Sequence, residues 1–203
     1  MNVSTGSITG VCAGLAWFAI TLPPARADPF VFDKGYTLLT FSWSHLGLTR
    51  QQARFTGIEG TVDIDPEHPE TSKVEVTIRA GTVQSGSDTF DRILRSPDFF
   101  AAATYPTITF HSTAVERTGE KTADVTGELN ILGQAKPVVL HVTLNLFGDH
   151  PSGVANPAYA GKKVAAFSAT ADVKRSDWGM GRGVPLVSDE IEISIETELV
   201  ARE

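Results

Sequence analysis

Apolar and polar residues alternate along most of this chain with a period of two residues. The segments VEVTIR at 74–79 and IEISIE at 191–196 show the pattern clearly. A period of two predicts β-strands that have one dry face and one solvated face. Eight such strands are predicted, separated by turn-forming residues: 36–45, 55–64, 73–82, 107–116, 122–131, 138–147, 164–174 and 190–201.

The length of these strands bears on how they assemble. They run for roughly ten residues, whereas strands in globular proteins average about 5–6. Long antiparallel strands with short turns favour an eight-stranded up-and-down barrel, because closure leaves no unpaired edge. Two stacked sheets are the alternative that the pattern leaves open. The interior of an eight-stranded barrel can hold one small ligand.

One segment, at 88–105, breaks the β pattern between strands three and four. Its residues Phe90, Ile93 and Leu94 fall on one helical face, which predicts a short helix. Ser96 and Pro97 then predict the start of a second short helix, as N-cap and first helical residue. This helical insertion either covers one mouth of the barrel as a lid or seals the core as a corner.

The first 27 residues are typical of a signal peptide. An uncharged apolar run at 8–22 is followed by Ala25-Arg26-Ala27, so we expect cleavage before Asp28 and a periplasmic domain over 28–203. A retained membrane anchor is the alternative, but the run is shorter than the roughly 20 apolar residues that a span requires. Cys12 is the only cysteine, so the domain has no disulfide.

Charge and motifs exclude several classes of function. The formal net charge of −7 disfavours nucleic acid and anionic membrane as partners. The chain has no nucleophile elbow, phosphate-binding glycine loop or zinc-protease motif. Four carboxylates lie near the last two strands: Asp172, Asp177, Asp189 and Glu190. A solvated rim of the barrel explains them, and a catalytic acid–base dyad is the alternative. The five histidines have no metal-site spacing: His45, His68, His111, His141 and His150. We therefore expect no enzyme activity, metal or cofactor.

Apolar and aromatic side chains are the most conspicuous candidates for a functional site. Phe41 and Trp43 lie two apart on one strand, so they share a face, which we expect to be interior. A packed core and an apolar ligand cavity use the same residue types, so both interpretations stay open. The candidate ligand-binding residues are Phe41, Trp43, His45, Phe55, Ile58, Phe99, Phe100, Tyr105, Phe110, Phe167 and Trp178.

Five motifs in order resemble the YceI-like family of exported bacterial proteins. They span nearly all of 28–203: FDKGYTLLTFSWSHLG at 32–47, ARFTGIEGTVDID at 53–65, LRSPDFFAAATYPTITFHST at 94–113, VTGELNILGQAKPVVLHV at 125–142 and RSDWGM at 175–180. The resemblance implies a lipocalin-like barrel whose tunnel binds a polyisoprenoid, such as an isoprenoid quinone or polyprenyl phosphate. It implies no established catalytic reaction.

One departure from the family pattern concerns the ligand's head. The family often has an Arg and a His before its Phe-Phe motif, where this chain has Phe90 and Ile93. The departure favours a less charged head, such as a quinone, over a pyrophosphate.

Three hypotheses of function follow. The first is a polyisoprenoid carrier, the second an enzyme acting on such a lipid through Asp172, Asp177 or His45, and the third an exported stress or interaction protein with a filled barrel. The oligomeric state stays open, a homodimer included.

Overall fold

The computed structural model describes Met1 and residues 28–202, so the predicted signal peptide lies outside the described residues apart from Met1. The described part of the chain forms ten β-strands, one α-helix and several short 3-10 turns. The strands are β1 (Asp28–His45), β2 (Thr49–Phe55), β3 (Ile58–Ile64), β4 (Lys73–Arg79), β5 (Val83–Gln84), β6 (Thr107–Arg117), β7 (Thr122–Ile131), β8 (Gln134–Asp149), β9 (Lys163–Lys174) and β10 (Glu190–Ala201), and the helix is α1 (Asp88–Leu94).

The strands form a closed antiparallel barrel in which β6 to β10 pair in chain order, β6 also pairs with β4, and β4 pairs with β3. β2 and β3 pair with successive parts of β1, and β5 continues the line of β4, so the barrel has eight strand positions. Pairing of β1 with β10, from Phe30 opposite Ala201 to Ser42 opposite Glu192, closes it. The predicted eight-stranded barrel is confirmed, and the sandwich alternative is wrong.

The first strand begins earlier than the alternation predicted, at Asp28 rather than at residue 36. The polar stretch Asp33-Lys34-Gly35 interrupts the period-two pattern there. The structure accommodates this stretch in a register shift against β10 between Phe32 and Thr37. A bulge of this kind adds residues to one strand without ending it, so the pattern is lost while the strand continues.

Two glycines of the sequence motifs allow neighbouring strands to approach closely. A Cβ on Gly60, whose φ is 152°, would lie 2.0 Å from the carbonyl oxygen of Glu75 on β4. A Cβ on Gly127 of β7 would lie 2.4 Å from Cζ of Phe110 and 2.6 Å from the carbonyl oxygen of His111. Any larger residue would therefore collide with the adjacent strand at both positions.

The insertion between the third and fourth strand positions contains one helix, not two. Ser87 caps α1 by accepting a hydrogen bond from the Phe90 amide. The buried Asp91 carboxylate accepts 2.6 Å hydrogen bonds from the Ser85 amide and hydroxyl. These bonds hold the pKa of Asp91 below its ordinary value, although burial opposes them.

The predicted helix at Ser96 is replaced by turns, and this prediction is wrong. The Phe100 amide donates to the carbonyl of Leu94 at 3.0 Å, which reverses the chain. This reversal buries Phe100 among the aromatic rings of the barrel, and that burial overrides the local helix-start signal. None of the helices in the described residues has the length and apolar character that a membrane span requires.

Candidate functional site: an apolar barrel cavity

The barrel interior contains a cavity of about 450 Å³, partly open to solvent. Its volume lies within the range of roughly 300–1,000 Å³ that is typical of ligand pockets. The cavity runs from the barrel end covered by α1, called here the α1 end, to the loop 65–72 and the turn 117–122 at the opposite end. Because the strands alternate, most of the lining side chains are apolar.

The burial of inward-facing residues shows that side chains do not fill the barrel. Ile191, Ile193 and Ile195 of β10 line the cavity, yet each is only partly buried. Leu140 and Val142 of β8 behave in the same way. A core packed to ordinary protein density would bury such residues almost completely. The choice between packed core and lined cavity, open from sequence, is therefore decided in favour of a cavity.

Aromatic rings close the α1 end. Phe41 stacks on Trp43 and on Phe55, with ring centroids 5.7 and 5.4 Å apart. Phe100 meets Phe41 and Phe55 edge to face at 5.7 and 5.2 Å. Phe90 of α1 stacks on Trp43 at 5.5 Å. Stacked and edge-to-face geometries are favourable for such pairs, so the insertion is joined to the barrel through this cluster.

Ten of the eleven candidate residues line the cavity: Phe41, Trp43, His45, Phe55, Ile58, Phe99, Phe100, Phe110, Phe167 and Trp178. The predicted interior position of Phe41 and Trp43 is confirmed. Tyr105 is not among the residues that line the cavity. It is exposed near the end of the insertion, with its ring against Gly133, because the chain has already left the cavity at that point.

Arg175 is a lining residue to which sequence reasoning gave no role. The side chain is buried, and its Nε and Nη2 donate to the carbonyls of Ser188 and Val187 at 2.9 and 3.0 Å, while Nη1 donates to that of Met180. Burial lowers the pKa of Arg175, but a guanidinium stays charged. Its presence in the RSDWGM motif was the only signal, since its partners are backbone atoms.

Trp178 follows Arg175 in the same motif and closes the wall beside β7 and β8. It is 1% exposed, and its Nε1 donates to the carbonyls of Gln134 at 2.9 Å and Leu129 at 3.2 Å. The buried indole therefore has a satisfied polar group. The motif thus fixes the loop after β9 through hydrogen bonds to backbone oxygens.

The end of the cavity opposite α1 is polar. Asp65, Ser72, Arg117, Glu120 and Lys121 contribute to its lining. The Asp65 carboxylate accepts from two backbone amides, and Arg117 donates to the carbonyls of Gly119 and Glu120. Charges of both signs therefore surround this mouth, called here the polar mouth, and its groups can hydrogen-bond a polar ligand head.

The carboxylates considered for catalysis lie away from this cavity. Asp172 and Asp177 are exposed, and neither lines it. Asp189 accepts from the amide and hydroxyl of Ser176, which lowers the pKa of its carboxyl. Among the described residues, no group of three or more His, Cys, Asp and Glu side chains could hold a metal ion.

Comparison with known families gives a match to the YceI-like domain over residues 30–199. The chain belongs to the YceI-like family. A UPF0312 protein of Pseudomonas savastanoi pv. phaseolicola is 35% identical to this YceI-like chain over 175 residues, covering 85% of this chain and 87% of the relative.

Solved structures share the barrel of this YceI-like protein. The Campylobacter jejuni YceI protein is 29% identical, with a TM-score of 0.69, covering 79% of this chain and 90% of its own. A polyisoprenoid-binding domain from Saccharophagus degradans is 14% identical, with a TM-score of 0.63, covering 87% of this chain and 99% of its own. At that identity the second likeness shows the fold alone.

Proposed function

We propose that this protein binds a long-chain polyisoprenoid inside the barrel and carries it through the periplasm. The observation that carries the proposal is the unfilled apolar cavity running between the two ends of the barrel. Membership of the YceI-like family and the fold shared with a polyisoprenoid-binding domain support the same ligand class.

The lining suits a ligand that has few hydrogen-bonding groups. Affinity for a prenyl chain comes almost entirely from burial, at roughly 0.8 kcal/mol per carbon before the costs of binding. One five-carbon unit therefore contributes about 3–4 kcal/mol gross on that scale. A barrel that shields such a chain from water can transport it without any chemical step.

The two ends of the cavity suggest the orientation of the ligand. The α1 end is mostly aromatic, with Phe90 stacked on Trp43. The Arg175 guanidinium there already donates to backbone carbonyls, so this end suits the apolar tail. The polar mouth carries Arg117 and Lys121 beside Asp65 and Glu120, so it suits the head. Mixed charges fit a hydrogen-bonding but uncharged quinone ring better than a pyrophosphate, whose negative charge would meet two carboxylates.

Native mass spectrometry of gently purified protein tests the binding proposal. The full chain is expressed, the periplasmic fraction is collected, and we expect an adduct of discrete mass that tandem fragmentation identifies as a polyisoprenoid. A long-chain isoprenoid quinone and a polyprenyl phosphate of equal chain length are then added to delipidated protein. Protein that purifies without lipid and binds neither probe contradicts the proposal.

Export is a separate part of the proposal and has its own test. The apolar run at 8–22 and the Ala25-Arg26-Ala27 pattern support cleavage before Asp28. N-terminal sequencing of the periplasmic protein is expected to read Asp28 first. A membrane-bound chain that still contains Trp17 would show that the segment is retained as an anchor.

A further inference from the structure

One ring of the aromatic cluster at the α1 end differs from the others in its exposure. Phe41, Trp43, Phe55 and Phe100 are buried. Phe90 is only partly buried, although it lines the cavity and stacks on Trp43 with ring centroids 5.5 Å apart. Because its ring borders both the cavity and solvent, Phe90 can turn outward without moving the four buried rings.

The backbone that carries Phe90 is held in place. Leu94, at the C-terminal end of α1, is 4% exposed and packs in the barrel core. The Asp91 carboxylate is bonded to the Ser85 amide and hydroxyl at 2.6 Å. Moving the whole helix would break these contacts, whereas turning the Phe90 side chain gives up its stack on Trp43. Rotamer changes of exposed side chains take picoseconds to nanoseconds, so the side chain, and not the helix, is the part that moves.

The volume of the cavity limits how much of a prenyl chain fits behind this ring. A cavity of about 150 Å³ holds one benzene molecule, which corresponds to about 25 Å³ per apolar carbon. The cavity of about 450 Å³ therefore holds about 18 carbons, or three to four isoprene units. A chain of eight units has more than twice as many carbons. With the head at the polar mouth, the units beyond the fourth reach the α1 end.

We propose that Phe90 is a gate that determines how the barrel responds to the length of a prenyl chain. Its ring closes the α1 end over a chain of three to four units and turns outward when a longer chain passes Trp43. This inference rests on the proposed function, because it takes the ligand and its orientation from there. A passing chain replaces the Phe90 ring against the Trp43 indole, so long chains stay bound. The gate therefore slows the entry of long chains and leaves that of short chains unchanged.

Stopped-flow fluorescence measures the entry of isoprenoid quinones that have three or eight isoprene units. Quinones quench indole fluorescence, and Trp43 and Trp178 both line the cavity. Phe90→Ala removes the gate, and Phe90→Trp enlarges it. Ile93→Ala is the matched control, because Ile93 lies on the same helix and is 43% exposed. Delipidated protein is mixed with each quinone in detergent micelles, and thermal melts check that every variant is folded.

We expect F90A to take up the eight-unit quinone roughly two- to tenfold faster than the wild type, which corresponds to the loss of one stacked aromatic pair. F90W is expected to take it up more slowly, and all four proteins are expected to take up the three-unit quinone at the same rate. Equal rates for the eight-unit quinone in the wild type, F90A and F90W would overturn the gate alone. An equal change for both quinones, or an equal change in I93A, would also overturn it. A wild type whose fluorescence neither quinone quenches contradicts the proposed function itself.

Discussion

Filling the cavity with one large side chain distinguishes a ligand tunnel from a protein core. Val142 of β8 points into the cavity and is only partly buried. Its direct partners on the adjacent strands are Ala123 and Ala169, which also line the cavity. We therefore expect Val142→Trp to place its indole in empty space above two small residues.

The expected effects of Val142→Trp on stability and on lipid binding differ between a filled core and an open cavity. In a filled core the added ring would cost about 1–3 kcal/mol of folding stability. At about 2–4 °C per kcal/mol for a domain of this size, that lowers Tm by roughly 2–12 °C. In the cavity we expect little change in Tm. If the indole displaces one five-carbon unit, the loss of about 3–4 kcal/mol weakens lipid binding roughly 100- to 700-fold.

The assay combines thermal melts of delipidated protein with titration of a long-chain isoprenoid quinone. Val139→Trp is the matched control, because Val139 lies on the same strand with its side chain exposed. The control is expected to keep wild-type affinity. A V142W protein that melts several degrees lower and still binds the quinone like the wild type would refute the assignment of the cavity as the lipid site.

Three further substitutions test other parts of the structure. Phe100→Ala is expected to lower the free energy of unfolding by about 3–5 kcal/mol, because the ring is buried in the aromatic cluster. Phe99 is only partly buried, so Phe99→Ala is expected to stay folded and to release lipid faster than the wild type. Equal lipid off-rates for F99A and the wild type would show that Phe99 is not part of a lid. The pKa of Asp91 is lower in the folded protein than in the unfolded chain, so the ionised carboxylate stabilises the fold above about pH 4. This stabilisation is lost as the pH falls through the pKa that Asp91 has in the folded protein. Asp91→Asn should have a lower Tm than the wild type at pH 7, and its Tm should fall less between pH 7 and pH 3. Plots of Tm against pH that run parallel for the two proteins would contradict this. Gly127→Ala should lower the free energy of unfolding, measured in urea, by about 1–3 kcal/mol. An unchanged urea midpoint would show that β7 can move away from β6.

The local pattern of the sequence determined the strands and which residues face inward. Most strand positions are recognisable from their own alternation, because one face contacts water and the other does not. The prediction missed β2 (Thr49–Phe55), whose first four residues are all exposed, and joined Phe55 to β3. The spacing of Phe41 and Trp43 placed them on one face of the strand, and the expectation that this face is interior is confirmed. The interruption at Asp33-Lys34-Gly35 hid the first part of β1, since a bulge removes the period without ending the strand.

Only the tertiary structure decided what the barrel encloses and how its α1 end is closed. A packed core and a cavity use the same residues, and the difference arises from how far eight closed strands hold opposite walls apart. The helix-start signal at Ser96 does not produce a helix, because Phe100 is buried against Phe41 and Phe55 through long-range contacts. The partners of Arg175 are backbone carbonyls of a later loop. Such carbonyls are present at every residue, so only the path of the folded chain selects which of them bind the guanidinium.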